Sequence, residues 1–193
     1  DHLVFKEEEL LEFEPIIATE TAEKIAGHVS RLIEDGATLQ CGYGIVPNAI
    51  LEHLDEKEDL GIHTEMLSED LANLIKKGVV TNKEKTLHKG KTIGSFLMGT
   101  KKLYDFVHDN PGIELRPTDY VNDPFVIAKN HKMTAINTAL QVDLTGQVCA
   151  DSLGYSFYSG IGGHADFMRG AGYAEDGKSI IALSSTAQNG EVS

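Results

Sequence analysis

Glu65 is a carboxylate near the end of a strand-like stretch, residues 60–66, which has apolar residues at positions 60, 62 and 66. Two glycine-rich turns accompany it, Gly42-Tyr43-Gly44 earlier in the chain and Gly160-Ile161-Gly162-Gly163 much later. Such turns expose backbone N–H groups, so a carboxylate beside them suits a nucleophile that faces an oxyanion site. The alternative is that Glu65 is a solvated carboxylate, since charged side chains mostly stay exposed.

Each glycine turn has a functional and a structural interpretation. The turn at 42–44 lies between a predicted strand and a predicted helix, where backbone N–H groups favour an anion. It does not match the dinucleotide fingerprint, because Pro47 occupies the later position, and it can be simply a tight turn. Three glycines within 160–163 cost backbone entropy, which indicates close approach of a ligand or of another segment. A crowded turn packed on the sheet is the alternative.

Other chemistries have little support in the sequence. The eight histidines and two cysteines show no metal-ligand spacing, so we expect no metal site. Ser159 lacks the neighbours of a serine hydrolase nucleophile. His63 lies two residues before Glu65, so a strand would place both side chains on one face. It can tune the carboxylate there, or it can be an ordinary half-buried histidine.

Composition indicates a globular protein with one domain. The 193 residues are 41% apolar and 24% charged, and no apolar run approaches the ~20 residues that span a bilayer. The net charge of −13 argues against nucleic acid or an anionic membrane as partner. Two cysteines in an acidic chain indicate reduced thiols and a cytoplasmic location. The chain begins with Asp, so we expect a processed or excised piece.

Alternating helical and strand-like patterns predict an α/β fold, an open and largely parallel sheet flanked by helices. Residues 1–18 read as an acidic linker, and residues 19–193 as one domain. The lysine-rich segment, residues 76–102, suits an anionic ligand or a solvated loop. Helices are predicted at 19–34, 48–54, 68–77, 101–108 and 164–170, and strands or extended segments at 37–41, 60–66, 79–80, 93–98, 113–116, 119–122, 133–144, 147–150 and 179–184, with a turn at Thr145-Gly146 and a polar run at 185–193.

A set of motifs in this order resembles the acetyl-CoA hydrolase/transferase family, and among its members most resembles the 4-hydroxybutyrate CoA-transferases. The resemblance covers residues from about 20 to the end. The motifs are Gly42-Tyr43-Gly44-Ile45-Val46-Pro47-Asn48-Ala49, Leu60-Gly61-Ile62-His63-Thr64-Glu65-Met66, Ile136-Asn137-Thr138-Ala139-Leu140, Val142-Asp143-Leu144-Thr145-Gly146-Gln147-Val148, Ser159-Gly160-Ile161-Gly162-Gly163 and Gly177-Lys178-Ser179-Ile180-Ile181-Ala182-Leu183.

The resemblance implies a CoA-transferase (NagB/RpiA-like) domain, the second of two in a longer chain and incomplete at its C-terminus. It implies that Glu65 attacks an acyl-CoA thioester and that a glutamyl-CoA thioester follows, with CoA as a substrate and no other cofactor. Backbone N–H groups of Tyr43 and of Gly162 or Gly163 would form the oxyanion hole, and Asn122 would lie near the site. Substrate or CoA contacts are expected from Gly42, Gly44, Gly160, Asn122 and His164.

The expected partners are acyl-CoA, a carboxylic acid of the 4-hydroxybutyrate or acetate type and the N-terminal domain, with a second copy of the chain as a further candidate. Phosphates of CoA are candidates for the lysine-rich segment. Gln141 stands where many relatives carry Glu, and His164 where many carry Gln, which leaves acceptor choice and the balance of transfer against hydrolysis open. An acyl-CoA hydrolase and a non-catalytic CoA-binding domain are therefore the alternatives.

Overall fold

A computed structural model describes residues 4–186. Its α-helices are α1 (Glu20–Val29), α2 (Ile45–Glu52), α3 (Glu69–Lys76), α4 (Lys101–Val107), α5 (Thr118–Val121), α6 (Pro124–Ile127) and α7 (His164–Tyr173), with a 3-10 turn at Ser30–Leu32. Its strands are β1 (Thr38–Cys41), β2 (Gly61–Ile62), β3 (Met66–Ser68), β4 (Thr92–Gly94), β5 (Phe96–Met98), β6 (Ile113–Leu115), β7 (Met133–Asn137), β8 (Gln141–Val142), β9 (Val148–Cys149), β10 (Ser152–Leu153), β11 (Ser156–Phe157) and β12 (Lys178–Ile181).

The central strands are parallel, in the order β12-β7-β1-β2. A one-residue parallel bridge, His63 to Ile93, joins the continuation of β2 to β4, and β4 pairs in parallel with β6. Further along the chain from this bridge, β3 pairs in parallel with β5. The carboxyl ends of these strands consequently share one edge, which is where open α/β sheets bind ligands.

Helices cover both faces of the sheet, which confirms the predicted α/β class. Side chains of α1, α2 and α3 form one core cluster with Leu39, Ile62 and Ile136. Side chains of α5, α6 and α7 form a second cluster with Met133 and Ala135 of β7. Because successive residues of a strand point to opposite faces, β7 contributes to both clusters and is fully buried.

Several helix ends follow the capping signals in the sequence. The Thr19 hydroxyl accepts a hydrogen bond from Ala22 N, and the Ser68 hydroxyl accepts one from Leu71 N. Gly78 follows α3 with a φ of 78°, a conformation that favours glycine. The second helix begins earlier than predicted, at Ile45 instead of position 48, since Gly44 occupies its N-cap.

Several predicted extended segments differ from the structure. Residues 119–122 were expected to be extended, but Thr118–Val121 is a short helix that buries Val121 in the second core cluster. The stretch 133–144 splits, because β7 ends at Asn137 and β8 pairs with β9 instead. Residues 79–80 form only a one-residue bridge, Leu60 to Val80. The last strand is Lys178–Ile181, shorter than predicted, and residues 187–193 of the polar run lie outside the described part.

The predicted acidic linker contains no helix or strand over residues 4–18. Part of it nevertheless lies against the start of α4. Phe13 N donates to Gly99 O over 3.1 Å, and the Tyr104 hydroxyl donates to Leu11 O over 2.7 Å. This segment therefore has a defined place beside the domain.

Candidate active site

Glu65 occupies a break between two short strands. β2 ends at Ile62 and β3 begins at Met66, so the predicted single strand is interrupted at the carboxylate. Within residues 60–68, Glu65 is half-buried and every other residue is buried. The break therefore presents this one side chain at the carboxyl edge of the sheet while its neighbours remain in the core.

Three groups meet at the start of α7. The backbone N–H of Gly163 donates to Oε2 of Glu65 over 3.2 Å. A Cβ at position 163 would lie 2.4 Å from this oxygen and 2.4 Å from Nδ2 of Asn122. The φ of Gly163 is −72°, so lack of space, not backbone conformation, requires glycine. The N–H also lies at the N-cap of a ten-residue helix, where the dipole favours an anion.

His63 ties the Glu65 strand to the helix that precedes Asn122. Its Nε2 lies 2.9 Å from the carbonyl oxygen of Val121, so Nε2 carries the proton and donates. The ring packs at a tilt against Phe167, with 6.2 Å between centroids. Complete burial lowers the pKa of His63 to about 4, so the ring is neutral near pH 7. Burial and the bond to Val121 O favour a positioning role for His63 over tuning of Glu65 by a histidine charge, and the ring is fully buried instead of half-buried.

The first glycine turn is fixed to the end of β7. Gly42 N donates to Ile136 O over 2.8 Å. The side-chain amides of Gln40 and Asn137 exchange two hydrogen bonds, of 3.2 and 2.9 Å, across the buried strands. A Cβ at Gly42 would approach Asn137 Oδ1 to 2.9 Å, so the close contact requires a small residue.

Asn48 holds the other end of this turn. Gly44 N donates to its Oδ1 over 3.3 Å, and its Nδ2 donates to Oδ2 of Asp70 over 2.9 Å. Gly44 has a φ of 146°, which L side chains rarely adopt. Burial raises the pKa of Asp70, whose carboxyl accepts this bond at the start of α3. The turn is therefore anchored at both ends before any substrate binds.

The structure brings together only part of the predicted site. Glu65, Asn122 and Gly163 are in contact. Tyr43 lies at the same sheet edge, but in residues 4–186 no hydrogen bond joins it to Glu65. A Cβ at Gly162 would meet open space, as would one at Gly160, so Gly163 is the member of the glycine pair with close contacts.

A cavity of about 430 Å³ opens beside the start of α7. Burial lowers the pKa of His164, a neutral polar group in an otherwise largely apolar wall. Gln141, the other departure from the family pattern, is exposed on β8 and does not line this cavity. The lining residues are Val148, Ala150, Asp151, Ser159, Gly160, Ile161, Gly162, His164, Ala165, Met168 and Ile181.

The lysine-rich segment contains a lysine that faces inward. Lys85 is only 2% exposed, and its Nζ donates to Ile62 O and to Lys91 O, both over 2.7 Å. Burial lowers the pKa of Lys85 to about 7. A Cβ at Gly61 would lie 2.5 Å from its Cγ, so the side chain packs directly on β2. Lys85 supports the strand before Glu65 and is not available to phosphates.

Sequence reasoning missed several residues that build this edge. Asn48 carried a signal, since it is a polar residue within the apolar run 45–51. Ser95 carried a similar one, as a small polar residue inside the predicted strand 93–98, which the structure shows to be broken there. The inward orientation of Lys85 had no signal, because the surrounding lysines hide it.

Comparison with known proteins assigns the family. Residues 99–193 match the model of the acetyl-CoA hydrolase/transferase C-terminal domain. The chain belongs to this family, as the resemblance of its motifs predicted.

Individual relatives are CoA-transferases. The whole chain is 51% identical to 4-hydroxybutyrate coenzyme A transferase of Clostridium kluyveri and covers 45% of it. It is 46% identical to succinyl-CoA:cyclohexane-1-carboxylate CoA transferase of Geobacter metallireducens, again over the whole chain, and covers 44% of that protein.

A solved structure gives the same result. The crystal structure of 4-hydroxybutyrate CoA-transferase from Porphyromonas gingivalis superposes with a TM-score of 0.86 at 42% identity, covering 96% of this chain and 44% of that one. The CoA-transferase type of fold is therefore confirmed. The chain spans less than half the length of each of these three proteins. Within residues 4–186, no helix has the length and apolar character needed to cross a membrane.

Proposed function

We propose that residues 19–193 belong to the second domain of a two-domain CoA-transferase, with Glu65 as the nucleophile. The reaction moves CoA from a short-chain acyl-CoA to a carboxylic acid of the 4-hydroxybutyrate or acetate type. The similarity to CoA-transferases at 51% and 46% identity supports this class of reaction. The longer protein to which we assign the chain is called the full-length protein below.

One observation carries the role of Glu65. It is the half-buried carboxylate that accepts a hydrogen bond from Gly163 N, at a position where any Cβ would clash with it. A solvated strand-end carboxylate needs no such arrangement. A backbone donor this close suits a reaction in which the negative charge on a Glu65 side-chain oxygen is lost and then restored.

The chemistry follows from a carboxylate nucleophile. An oxygen of Glu65 attacks the thioester carbonyl carbon, and CoA leaves as the thiolate, which gives a mixed anhydride. The thiolate then attacks the Glu65 carbonyl carbon, the donor acid leaves as a carboxylate, and a glutamyl-CoA thioester remains. The acceptor carboxylate takes the CoA by the same two steps in reverse. The overall reaction consumes one thioester and one carboxylate and forms one of each, so its net free-energy change is small, and the covalent intermediates divide it into separate steps.

Two donors are proposed for the oxyanions. Gly163 N–H already contacts Glu65, and its place at the start of α7 favours negative charge. Tyr43 N–H lies on a turn that is anchored at both ends, by the contacts of Gly42 and Gly44. Asn122, whose amide lies beside Gly163, would orient the carboxylate or the acyl group.

The cavity beside α7 is proposed to receive part of the acyl or acceptor group. His164 and the small residues Gly160 and Gly162 line it, so they are the candidates for substrate contact. The wall is mainly apolar, which suits a hydrocarbon body better than a charged one. The remainder of the full-length protein, including the N-terminal domain, would complete the binding surface.

Replacement of the nucleophile tests the proposal in the full-length protein. Glu65→Gln keeps the shape and an acceptor for Gly163 N–H but removes the nucleophilic charge. We expect CoA transfer from butyryl-CoA to acetate to fall at least about 1000-fold. Glu65→Asp is the matched control, which keeps the carboxylate and should lose less. A Gln variant with more than a tenth of wild-type activity would contradict the role of Glu65.

The same assay separates transfer from the alternative of hydrolysis, which the name of the family retains. Transfer forms acetyl-CoA from butyryl-CoA without accumulation of free thiol. A hydrolase releases free CoA at the same rate with or without acetate. Binding of acyl-CoA without either product would instead support a non-catalytic CoA-binding domain.

A further inference from the structure

Ser95 lies directly beside Glu65 in the strand register. The bridge His63 to Ile93 and the pair Met66 to Phe96 keep the same offset along the two strands. This offset places Glu65 opposite Ser95. The backbone of Ser95 therefore lies beside that of Glu65, although both residues stand in breaks between strands.

Both strands break at this level. Glu65 separates β2 from β3, and Ser95 separates β4 from β5. The carbonyl oxygen of Glu65 accepts hydrogen bonds from the N–H groups of Ser95, over 2.8 Å, and Phe96, over 3.1 Å. The backbone at 95 is therefore fixed to the backbone at 65, and the two breaks form one local feature.

The hydroxyl group of Ser95 is the second feature of this break. Its Oγ is buried and has no hydrogen-bond partner within residues 4–186. Buried polar atoms nearly always have a partner, so an orphaned hydroxyl needs an explanation. The Oδ1 of Asn122, whose side chain lies near Gly163, is also buried without a partner within the described residues. Together with Nδ1 of His63, three polar atoms without a partner in the described part of the chain thus belong to residues around the proposed nucleophile.

We propose that the Ser95 hydroxyl donates a hydrogen bond to the side-chain carbonyl oxygen of Glu65, on Cδ, during formation and breakdown of the glutamyl-CoA thioester. This inference rests on the proposed function. It adds to the backbone donor a side-chain donor from the neighbouring strand. Hydrogen bonds of this kind are often long in the free enzyme and tighten only in the reacting complex.

The hydrogen bond acts in one step, the attack of the CoA thiolate on the mixed anhydride. When the CoA thiolate attacks the anhydride at Cδ of Glu65, the side-chain carbonyl carbon, a C–S bond forms and the electron pair of that carbonyl moves to its oxygen. Ser95 O–H and Gly163 N–H share this oxyanion. The pair then returns, the C–O bond to the donor acyl group breaks, and that group leaves as a carboxylate. Ser95 keeps its proton throughout, so no base is required for it.

The test compares Ser95→Ala with Ser95→Thr in the full-length protein. Ala removes the donor, and Thr retains a hydroxyl and adds one methyl group. We expect kcat to fall about 10- to 100-fold in Ala with little change in KM, because the bond is made mainly in the transition state. Thr should stay within about threefold of wild type. The melting temperature of Ser95→Ala should not fall, since the hydroxyl makes no hydrogen bond to any residue that the structure describes.

Thr64→Val provides a matched control. Thr64 is also buried, next to Glu65, and its hydroxyl donates to Met66 O over 3.2 Å. Removal of this satisfied hydroxyl should lower the melting temperature and leave kcat nearly unchanged. The opposite pattern in Ser95→Ala, a slower reaction in an equally stable protein, distinguishes a donor to the reaction from a structural serine.

The closing measurement is the rate of adduct formation, followed by quenching and intact mass after mixing with butyryl-CoA. Slower accumulation of the CoA adduct in Ser95→Ala supports the inference. An adduct that forms at the wild-type rate, or a melting temperature that falls while kcat does not, would overturn it and leave Glu65 in its role. If the wild-type protein forms no adduct, the proposed function fails, and the inference fails with it.

Discussion

The edge of the sheet around Glu65 and the segment between β7 and α7 differ in how much of their apolar surface this chain buries. Around Glu65 nearly every neighbour is buried, and Ile62 has no exposed surface. The segment of residues 138–162, called the hairpin segment here, contains two small antiparallel hairpins. Its apolar side chains face outward: Tyr155 is 108%, Phe157 88% and Ile161 90% exposed.

The contrast shows which part of the site the domain builds alone. The proposed nucleophile Glu65, its backbone donor and Asn122 are positioned by core packing and by contacts such as His63 to Val121. Contiguous exposed apolar surface normally marks an interface. Since the chain spans less than half of its relatives, we expect the rest of the full-length protein to cover the hairpin segment and to complete substrate binding.

Among the variants that keep Glu65, Gly163→Ala should have the largest effect, because it disturbs the buried edge around this carboxylate. The added Cβ would lie 2.4 Å from both Glu65 Oε2 and Asn122 Nδ2, so the backbone donor must move away from the carboxylate. We expect kcat to fall about 100- to 1000-fold, the size of effect seen when one oxyanion donor is lost. Steady-state transfer kinetics of the full-length protein provide the measurement.

Gly172→Ala is the control for this variant. Gly172 lies in the same helix, and a Cβ there would meet only Ser179 Oγ at 3.8 Å, an ordinary contact. Ala favours helix, so activity should persist with unchanged or higher stability. A loss of activity in Gly172→Ala equal to that in Gly163→Ala would indicate a general disturbance of α7 instead of a lost donor.

A smaller effect concerns acid stability of the same region through His63. Its pKa is about 4 when folded against 6.5 for the ordinary side chain, and Lys85 and His88 add to the effect of burial. Between these values the unfolded chain binds a proton that the folded chain does not, so stability falls as pH drops from about 6.5 to 4. The total loss is about 3 kcal/mol, and no further loss from His63 occurs below both values.

His63→Leu removes this proton linkage along with the bond to Val121 O. We expect the variant to be less stable than wild type at pH 7, and the gap to close or reverse by pH 4.5. Denaturant unfolding of both proteins at pH 7 and pH 4.5 provides the comparison. The difference in the free energy of unfolding between the two proteins cancels the titration of the ionisable groups that they share. A gap that does not change with pH would show that His63 is not held neutral.

The smallest effect is expected in the hairpin segment of the isolated chain. Phe157→Ser and Tyr155→Ser remove exposed apolar groups, so the free energy of unfolding of the 193-residue chain should change by less than about 0.5 kcal/mol. In the full-length protein the same changes should cost about 1–2 kcal/mol each, the scale of burying a large side chain. Equal effects in both proteins would mean that nothing covers this segment.

Much of the fold could be predicted from the sequence, because its signals are local. The Thr19 and Ser68 caps and the apolar pattern of β1 and β7 fix where the main elements lie. The short helix at Thr118–Val121 could not be found in this way, since four residues carry too little periodicity and tertiary packing of Val121 decides their conformation.

The site was only partly predictable for a related reason. Glu65, Asn122 and Gly163 came from motifs, and the structure brings them into contact. The breaks at Glu65 and Ser95 depend on the register between two strands that are 30 residues apart, which no single stretch encodes. Likewise, the choice of Gly163 over Gly162 depends on which glycine approaches Asn122, a distance that only the folded chain shows.

The central claim, that Glu65 is the nucleophile held at this edge, has one most direct test. The full-length protein is incubated with a short-chain acyl-CoA, its intact mass is measured, and the modified peptide is mapped beside a Glu65→Gln control. A CoA adduct on the peptide that contains Glu65, absent from the control, is the result we predict. Acyl-CoA binding with no covalent adduct, or an adduct that persists in Glu65→Gln, would contradict the assignment.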